Sequence, residues 1–456
     1  MVPFPTPASG TKVGNSGLRV TTTEATKAGR ASLALNRSEL LGMINLFVTW
    51  LENHGAQSYD PYDIWGTRYG LWARSTYYQK GAFGVPFIAP ILMAEVLCPQ
   101  IRGWFLKKLR YATADAQLAL GFLNLYHSES GEEYLQKARE LGRDLLHSSI
   151  PGYSGYCWGY PFDWQCNTGL WRKNTPYITA TPYAFEALLG LYDATQEEHY
   201  LRIARSAARF VCSDLKDTPT SENAAAASYS PCDETKVINA SAYRAFVLFE
   251  AARRFENDEY GEKARKNLNF VLETQRADGS WLYSVHSPAE QFIDHFHTCF
   301  VLKNLYKLNG HLQEDEVTKA IKRGYDYYRR ELFDQNDIPK SFAIQSRTQI
   351  VRLEMYNFAE AITLGTLLKD KIPGALPLAH KLARLLNDHY QLPEGFFVTR
   401  VYLGGLRHTL PFLRWPQSQL FYALTNLLLA TDTTSPQPSV SFEAPRAYAE
   451  GSATKS

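Results

Sequence analysis

Cysteine is scarce and unpatterned in this chain of 456 residues: six are scattered (Cys98, Cys157, Cys166, Cys212, Cys232, Cys299), with no C-x-x-C pair and no zinc spacing. A chain long enough to bury a large core needs no disulfide staple, so reduced thiols are expected. An excess of either charge is also lacking. Lys plus Arg number 48 against 46 Asp plus Glu, a formal charge of +2, which leaves no electrostatic footprint for nucleic acid or an acidic membrane. No run of 18 apolar residues reads as a membrane span. Residues 1–35, rich in Thr, Ala, Gly and Ser, lack the apolar centre of a secretory signal, and the expected location is cytoplasmic. Absent too are the phosphate-cradling glycine loop, the dinucleotide fingerprint, H-E-x-x-H, the EF-hand loop and the G-x-S-x-G elbow. Nucleotide, zinc-peptidase and serine-esterase chemistry therefore fall away, and neither a metal nor a cofactor is expected.

What is present is a recurrence. Apolar helix patterns begin near Thr113, Ala180, Val237, Phe296, Leu353 and Pro416, as in ATPYAFEALLGLYD and PQSQLFYALTNLLLA. Between them lie amphipathic, charge-rich patterns such as EEHYLRIARSAARFVCSDL. A helix that is apolar nearly all round must be buried, whereas one with a single apolar stripe covers something. Inner and outer helices thus alternate at a fixed period, the mark of a repeat architecture. The stretch SELLGMINLFVTWLENH, Ser38 to His54, supplies a sixth outer helix able to pair with the last inner one and close a ring. The predicted fold is all-α, an (α/α)6 toroid spanning residues 38–432, with short β-hairpins in the loops at one end; the alternative is an open solenoid. Residues 1–37 and 433–456 are expected to form a disordered arm and tail.

Connections from each outer helix to the next inner one are long, at about 149–179, 216–236, 276–295, 333–352 and 392–415, whereas the return connections are short. Long loops in a compact domain are usually functional or disordered. These carry strand-like, aromatic stretches (SGYCWGYPFDWQ, DGSWLYS, EGFFVTRVYL), and are predicted to build one concave site. Aligning the inner helices on their apolar cores puts Asp115, Thr181, Ala240, His295, Tyr356 and Gln417 at its rim, with Asn239, Asp294, His297, Glu354, Arg414 and Trp415 beside them.

Three segments carry chemistry. In ADGSWLYSVHSPAEQFIDHFHT, Asp278, Glu290, Asp294, His295 and His297 gather in one loop. Two histidines at i and i+2 make a weak metal motif without a third ligand, and a proton-transfer histidine is the better reading. In GYSGYCWGYPFDWQCNTGLWRKNTPYITATPY, the rings of Trp158, Tyr160, Trp164, Trp171 and Tyr177 alternate with polar groups including Asp163. Flat rings with hydrogen-bonding neighbours suit a sugar, which has an apolar C–H face and a polar edge; a hydrophobic cluster under the loop is the competing reading. The third segment joins LEMYNFAEA to RHTLPFLRWPQSQ, with Glu354, Tyr356, Arg414, Trp415 and Gln417. Trp281 completes the expected substrate-binding set, together with Trp158, Tyr160, Trp164, Asn239, Arg414, Trp415 and Gln417.

With these helices and motifs the chain resembles the six-hairpin toroid enzymes of carbohydrate metabolism. Its CWGYPFDWQ and NTPYITATPYAFEALLGLYD stretches resemble bacterial proteins associated with exopolysaccharide and O-antigen biosynthesis. Some of these carry a delta-aminolevulinic acid dehydratase label, which does not fit, because that enzyme is a β/α barrel with a Schiff-base lysine. A weaker likeness, TQRADGSWLYS, is to the Q-x-x-D-G-S-W repeats of terpene cyclases and prenyltransferases. The resemblance implies an enzyme acting on an oligo- or polysaccharide, or its lipid-linked precursor, in surface-glycan assembly. As a uronate lyase or epimerase it would use a Tyr or His base with carboxylate-binding groups, for which Asn239, His295, His297, Tyr356 and Arg414 are candidates. As a hydrolase it would need two carboxylates about 5–9.5 Å apart, from Asp163, Asp278, Asp294 and Glu354. Non-catalytic glycan binding by the same fold, with no converging acid–base pair, is the other reading.

Overall fold

The protein is described here by a computed structural model covering residues 34–166, 169–345 and 349–431. Of the arm expected up to residue 37, residues 1–33 lie outside the described residues, as does the tail 433–456. The chain opens on α1 (Arg37–His54) and then makes a hairpin of two shorter helices, α2 (Arg68–Lys80) and α3 (Val85–Leu97). Helix pairs follow: α4 (Ala112–Glu129) with α5 (Glu132–His147), α6 (Thr181–Thr195) with α7 (Glu198–Ser213), and α8 (Ile238–Phe255) with α9 (Asp258–Glu273). Then come α10 (His295–Leu312) with α11 (Asp315–Glu331), α12 (Met355–Leu367) with α13 (Ala375–Leu385), and finally α14 (Ser418–Thr431).

Even-numbered helices from α4 to α14 form the inner ring, each packed on the next, with α14 packed back on α4. The reason is their composition. In α12 every residue from Met355 to Thr366 is buried, whereas α7 buries one stripe, Tyr200, Ala204, Ala207, Ala208 and Val211, at helical spacing. Helix α1 is the sixth outer helix. It starts at a capping box between Asn36 and Glu39, and its stripe of Leu40, Met43, Ile44 and Phe47 lies against α14. The seam between α4 and α14 is close: a Cβ on Gly121 would sit 2.4 Å from the Phe421 ring, and Ser418 Oγ donates to Gln117 Oε1 at 2.6 Å. The ring is closed, as the sixth outer stripe predicted, and the open solenoid is set aside.

Four return turns share one conformation. Ser130, Gln196, Glu256 and Gln313 cap α4, α6, α8 and α10 with φ of +57°, +56°, +51° and +53°. Each donates its N–H to the carbonyl four residues back, the left-handed helix stop usually made by glycine. The residue after each is extended and starts the outer helix, so the pairs are tight antiparallel hairpins.

All long connections lie at the opposite end and carry short antiparallel strands. The first two close on themselves as β1 (Trp164–Cys166) with β2 (Gly169–Trp171) and β3 (Asp217–Pro219) with β4 (Ala225–Ala227). The others bridge neighbours: β5 (Ile293–Asp294) pairs with β6 (Phe342–Ile344), and β7 (Val351–Glu354) with β8 (Arg400–Tyr402), which pairs with β9 (Arg407–His408). No alternating β/α barrel is present among the described residues, and nothing supports the dehydratase label.

Candidate active site

The main cavity, about 590 Å³, opens among the long loops, where the asymmetry of loop lengths placed it, and falls within the usual size of small-molecule sites. Its lining comes from α2, the long loops that carry β1–β2, Tyr229, residues 283–292 and Phe342, and the N-terminal turns of the inner helices. Aromatic rings dominate: Tyr160 and Trp164 have centroids 5.9 Å apart, as do Trp164 and Trp171. At the base Trp415 stacks on Tyr356 at 3.7 Å and 5°, with Phe296 edge-on to both.

Within this aromatic lining sits a histidine–carboxylate pair. Asp294 is the N-cap of α10: its Oδ1 accepts the His297 N–H at 2.9 Å, the usual reward for Asp at that position. Its Oδ2 lies 2.6 Å from His297 Nδ1. An ionised carboxylate only accepts, so Nδ1 carries the proton and Nε2 of the neutral ring is left basic. Asp294 is buried and the His297 side chain is 20 % exposed; both line the cavity. A pair so arranged can serve as an oriented general base, the carboxylate fixing the tautomer and able to stabilise an imidazolium.

Two guanidinium groups reach the same cavity. Arg414 forms a two-point ion pair with Asp60, at 2.6 and 2.7 Å, and lies over the Tyr160 ring at 4.5 Å. Burial opposes its charge, but the Asp60 carboxylate more than offsets this and holds the pKa above the ordinary arginine value. Arg74, from α2, is different. It lies among Tyr62, Trp65 and Tyr78, 5.3–5.8 Å from their centroids, and its Nε donates to Tyr78 Oη at 3.1 Å. Among the described residues no carboxylate pairs with it, and its buried Nη1 has no hydrogen-bond partner. Below, the Tyr356 hydroxyl accepts from Gln419 Nε2 at 2.9 Å; Gln419 also donates to Glu360, which pairs with Lys303 at 2.5 Å. Burial first, then the Glu360 charge, hold the Tyr356 phenol well above its ordinary pKa, so it keeps its proton and can donate a hydrogen bond.

Of the residues named from sequence, Tyr160, Trp164, Trp171, Glu290, Asp294, His297, Tyr356, Arg414 and Trp415 converge on the cavity. Asn239 lies just beneath, buried in a small void shared with Asp294 and His297, its amide without a hydrogen-bond partner. The rest point elsewhere. Trp158 and Trp281 are core residues: each indole N–H donates at 2.8 Å to a carbonyl in the last turn of an outer helix, Leu145 in α5 and Val271 in α9. Gln417 is fully buried and brackets the Phe397 backbone with two hydrogen bonds. Asp163 accepts from the Lys173 N–H at 2.7 Å and lines a separate cleft, while Asp278 closes a turn onto Ser280. Glu354 is buried against Arg400 at 2.5 Å, outside the cavity lining. The carboxylates lining the cavity among the described residues are Asp294 and Glu290, and Asp294 is committed to His297. Sequence reasoning missed Arg74, Tyr183 and Tyr243; the signal for Arg74 was the mixed aromatic and basic stretch RYGLWARSTYY.

His295 also lies outside the cavity. Successive helical residues are about 100° apart, so positions i and i+2 face nearly opposite sides, and His297 takes the side toward the axis. His295 is fully buried between α10 and α11, its Nε2 2.8 Å from the Tyr328 hydroxyl. Desolvation pushes its pKa from 6.5 to about 3, so the folded protein keeps the ring neutral while the unfolded chain takes up a proton below pH 6.5. Its contribution to stability is therefore full above that pH and lost on acidification, at up to about 1.4 kcal/mol per pH unit. His295→Gln removes the titrating group: the stability gap between wild type and variant should close by about that amount per unit as the pH falls from 6 to 5. Denaturant melts at each pH test this, and a gap constant with pH would contradict it.

No protein-family model matches this sequence, and no curated protein matches it. Solved structures do. An unsaturated glucuronyl hydrolase specific for heparin superposes with a TM-score of 0.56 at 9% identity, over 86% of this chain and 96% of that one. The GH76 α-mannanase of Bacteroides thetaiotaomicron gives 0.54 at 13%, over 81% and 98%. Cellobiose 2-epimerase from Bacillus thermoamylovorans B4167 gives 0.54 at 14%, over 70% and 87%. These neighbours are six-hairpin toroid enzymes that act on carbohydrates, and at such identities the likeness carries the fold and leaves the reaction open.

Proposed function

We propose that the chain is a carbohydrate-active enzyme that moves a proton at carbon: an epimerase or lyase acting on a uronic-acid-containing saccharide. The observation that carries this is one cavity, walled with aromatic rings, holding both a carboxylate-oriented histidine and a guanidinium that no carboxylate pairs with among the described residues. The rings suit the C–H faces of sugars. Arg74 suits the uronate carboxylate as a charged hydrogen-bond donor. Its positive charge would stabilise the enolate that forms when the C5–H bond breaks and the proton passes to His297 Nε2. The electron pair then takes a proton from water on the opposite face of C5, inverting that centre, or expels the oxygen at C4, which takes up the proton held by His297, to leave a double bond. Hydrolysis is less well supported, since Asp294 is held by His297 and α10, and Glu290 is the one other carboxylate lining the cavity among the described residues. The CWGYPFDWQ and NTPYITATPY stretches, together with the neighbours' carbohydrate chemistry, favour a polysaccharide or its lipid-linked precursor in surface-glycan assembly. All six cysteines are free thiols, in keeping with a cytoplasmic location.

The test is exchange with solvent. Uronic-acid-containing oligosaccharides incubated with the protein in D₂O should acquire deuterium at C5, or yield the unsaturated uronate, as read by NMR. Release of reducing ends without either change would replace this reading with hydrolysis.

A further inference from the structure

Helix α3, VPFIAPILMAEVL, is apolar on every side, and its single charged residue, Glu95, is turned inward to an ion pair with Arg102. A helix of that composition belongs in a core or in lipid. Yet only Ile91 and Glu95 are buried, because α3 packs mainly on α2 and the short turns flanking it. The exposed apolar surface continues around it: Phe83 is 84 % exposed in the turn between the helices, Met93 60 % on α3, and Trp104 87 % in the turn after it. Contiguous apolar surface of this kind marks a contact site.

Three observations choose the occupant. The first is size. By composition Arg68–Leu97 is long and apolar enough to cross a membrane, but it folds as two 13-residue helices reversing at Gly81–Gly84. Each is about 20 Å long, short of the hydrocarbon core of about 30 Å, so the hairpin can lie in an interface and cannot span it. The second is charge. Between Ile64 and Arg110 there are seven basic side chains and one acid, the internally paired Glu95. Lys80 abuts the Phe83 turn, and Lys107 and Lys108 follow Trp104 and Phe105; all three lysines are exposed. Two copies meeting through this face would set like charges together, whereas anionic headgroups would pair with them. The third is continuity: the inner side of α2 gives Arg74, Tyr77 and Tyr78 to the cavity lining. The hairpin is also braced to the cavity wall, since Arg102 donates to Asp63 and to the Asp60 carbonyl, and Asp60 holds Arg414.

We propose that the α2–α3 hairpin and the turn after it form a monotopic membrane-docking surface, which seats the protein on anionic bilayers with the cavity near the headgroup layer. The near-neutral charge of the whole chain conceals this basic, apolar patch.

The test is co-sedimentation of the full chain with phosphatidylcholine vesicles, with and without phosphatidylglycerol. Binding is expected to the anionic vesicles and to weaken with salt. The combined variant Phe83→Ser, Met93→Ser, Trp104→Ser should weaken it roughly tenfold or more, since each side chain loses apolar area to bury, with an unchanged melting temperature. Lys107→Glu with Lys108→Glu should lower binding to the anionic vesicles alone. Failure to sediment with either vesicle, or a wild-type dimer that dissociates in the triple-serine variant while neither protein binds vesicles, would overturn the proposal and leave the saccharide chemistry untouched.

Discussion

Replacing His297 by glutamine should lower turnover by about 10²–10⁴-fold, the usual worth of a positioned general base. The ring is the only imidazole in the cavity lining among the described residues, and its Nδ1 is tied to Asp294, so Nε2 is the atom offered to substrate. Glutamine keeps a polar side chain of similar reach that can still donate to Asp294, yet it cannot take up a proton. Saccharide affinity, read by calorimetry, and the melting temperature should therefore hardly move. Asp294→Asn is a graded companion: it keeps the helix cap but no longer enforces the Nδ1–H tautomer, so it should lower turnover by less than the loss of the ring. His297→Gln with unaltered turnover on an authentic substrate would remove proton transfer by this residue from the mechanism.

The second large effect is on stability. Arg414→Ala should destabilise the fold by about 3–5 kcal/mol, the cost of leaving one member of a buried ion pair alone. Asp60 is fully buried, and Arg414 supplies both of its charged hydrogen bonds. The check is a double-mutant cycle with Asp60→Asn. Neutralising the stranded carboxylate should recover a large part of the loss, and chemical denaturation of the four proteins measures it. Losses that simply add would mean the two residues do not act as a pair.

Much of the ring was legible because it rests on periodicity. An apolar stripe at 3.6-residue spacing survives as a signal however the chain bends, and the match between Ser38–His54 and the last inner helix followed from unpaired apolar faces. The return turns were less legible. Their left-handed caps fall on Ser130, Gln196, Glu256 and Gln313, where no glycine announces them. Within the site, the loops were legible and the rotation of their side chains was not. His295 and His297 differ by two positions, and only the registration of α10 in the ring decides which faces the axis. Trp158 and Trp281 read like a sugar platform, although they do the same internal task in two repeats, each holding the end of an outer helix. The Asp60–Arg414 pair was invisible for another reason: its members are 354 residues apart.

That distance reaches beyond the site. A linear stack of repeats can fray from an end, since each terminal unit has one neighbour. This ring has no terminal unit: α14 is held by α1 and α4, so loosening one hairpin opens the circle. The contacts that close it, Ser418 with Gln117 and Arg384 with Glu39, join residues 301 and 345 positions apart. Loop-closure entropy grows only slowly with length, but pairings this remote in sequence form late. On a ribosome the first inner helix would wait, its apolar seam uncovered, until almost the whole chain had been made. The cavity, which takes Tyr62 and Arg74 from early in the ring and Arg414 and Trp415 from late in it, is complete only when those distant segments have met.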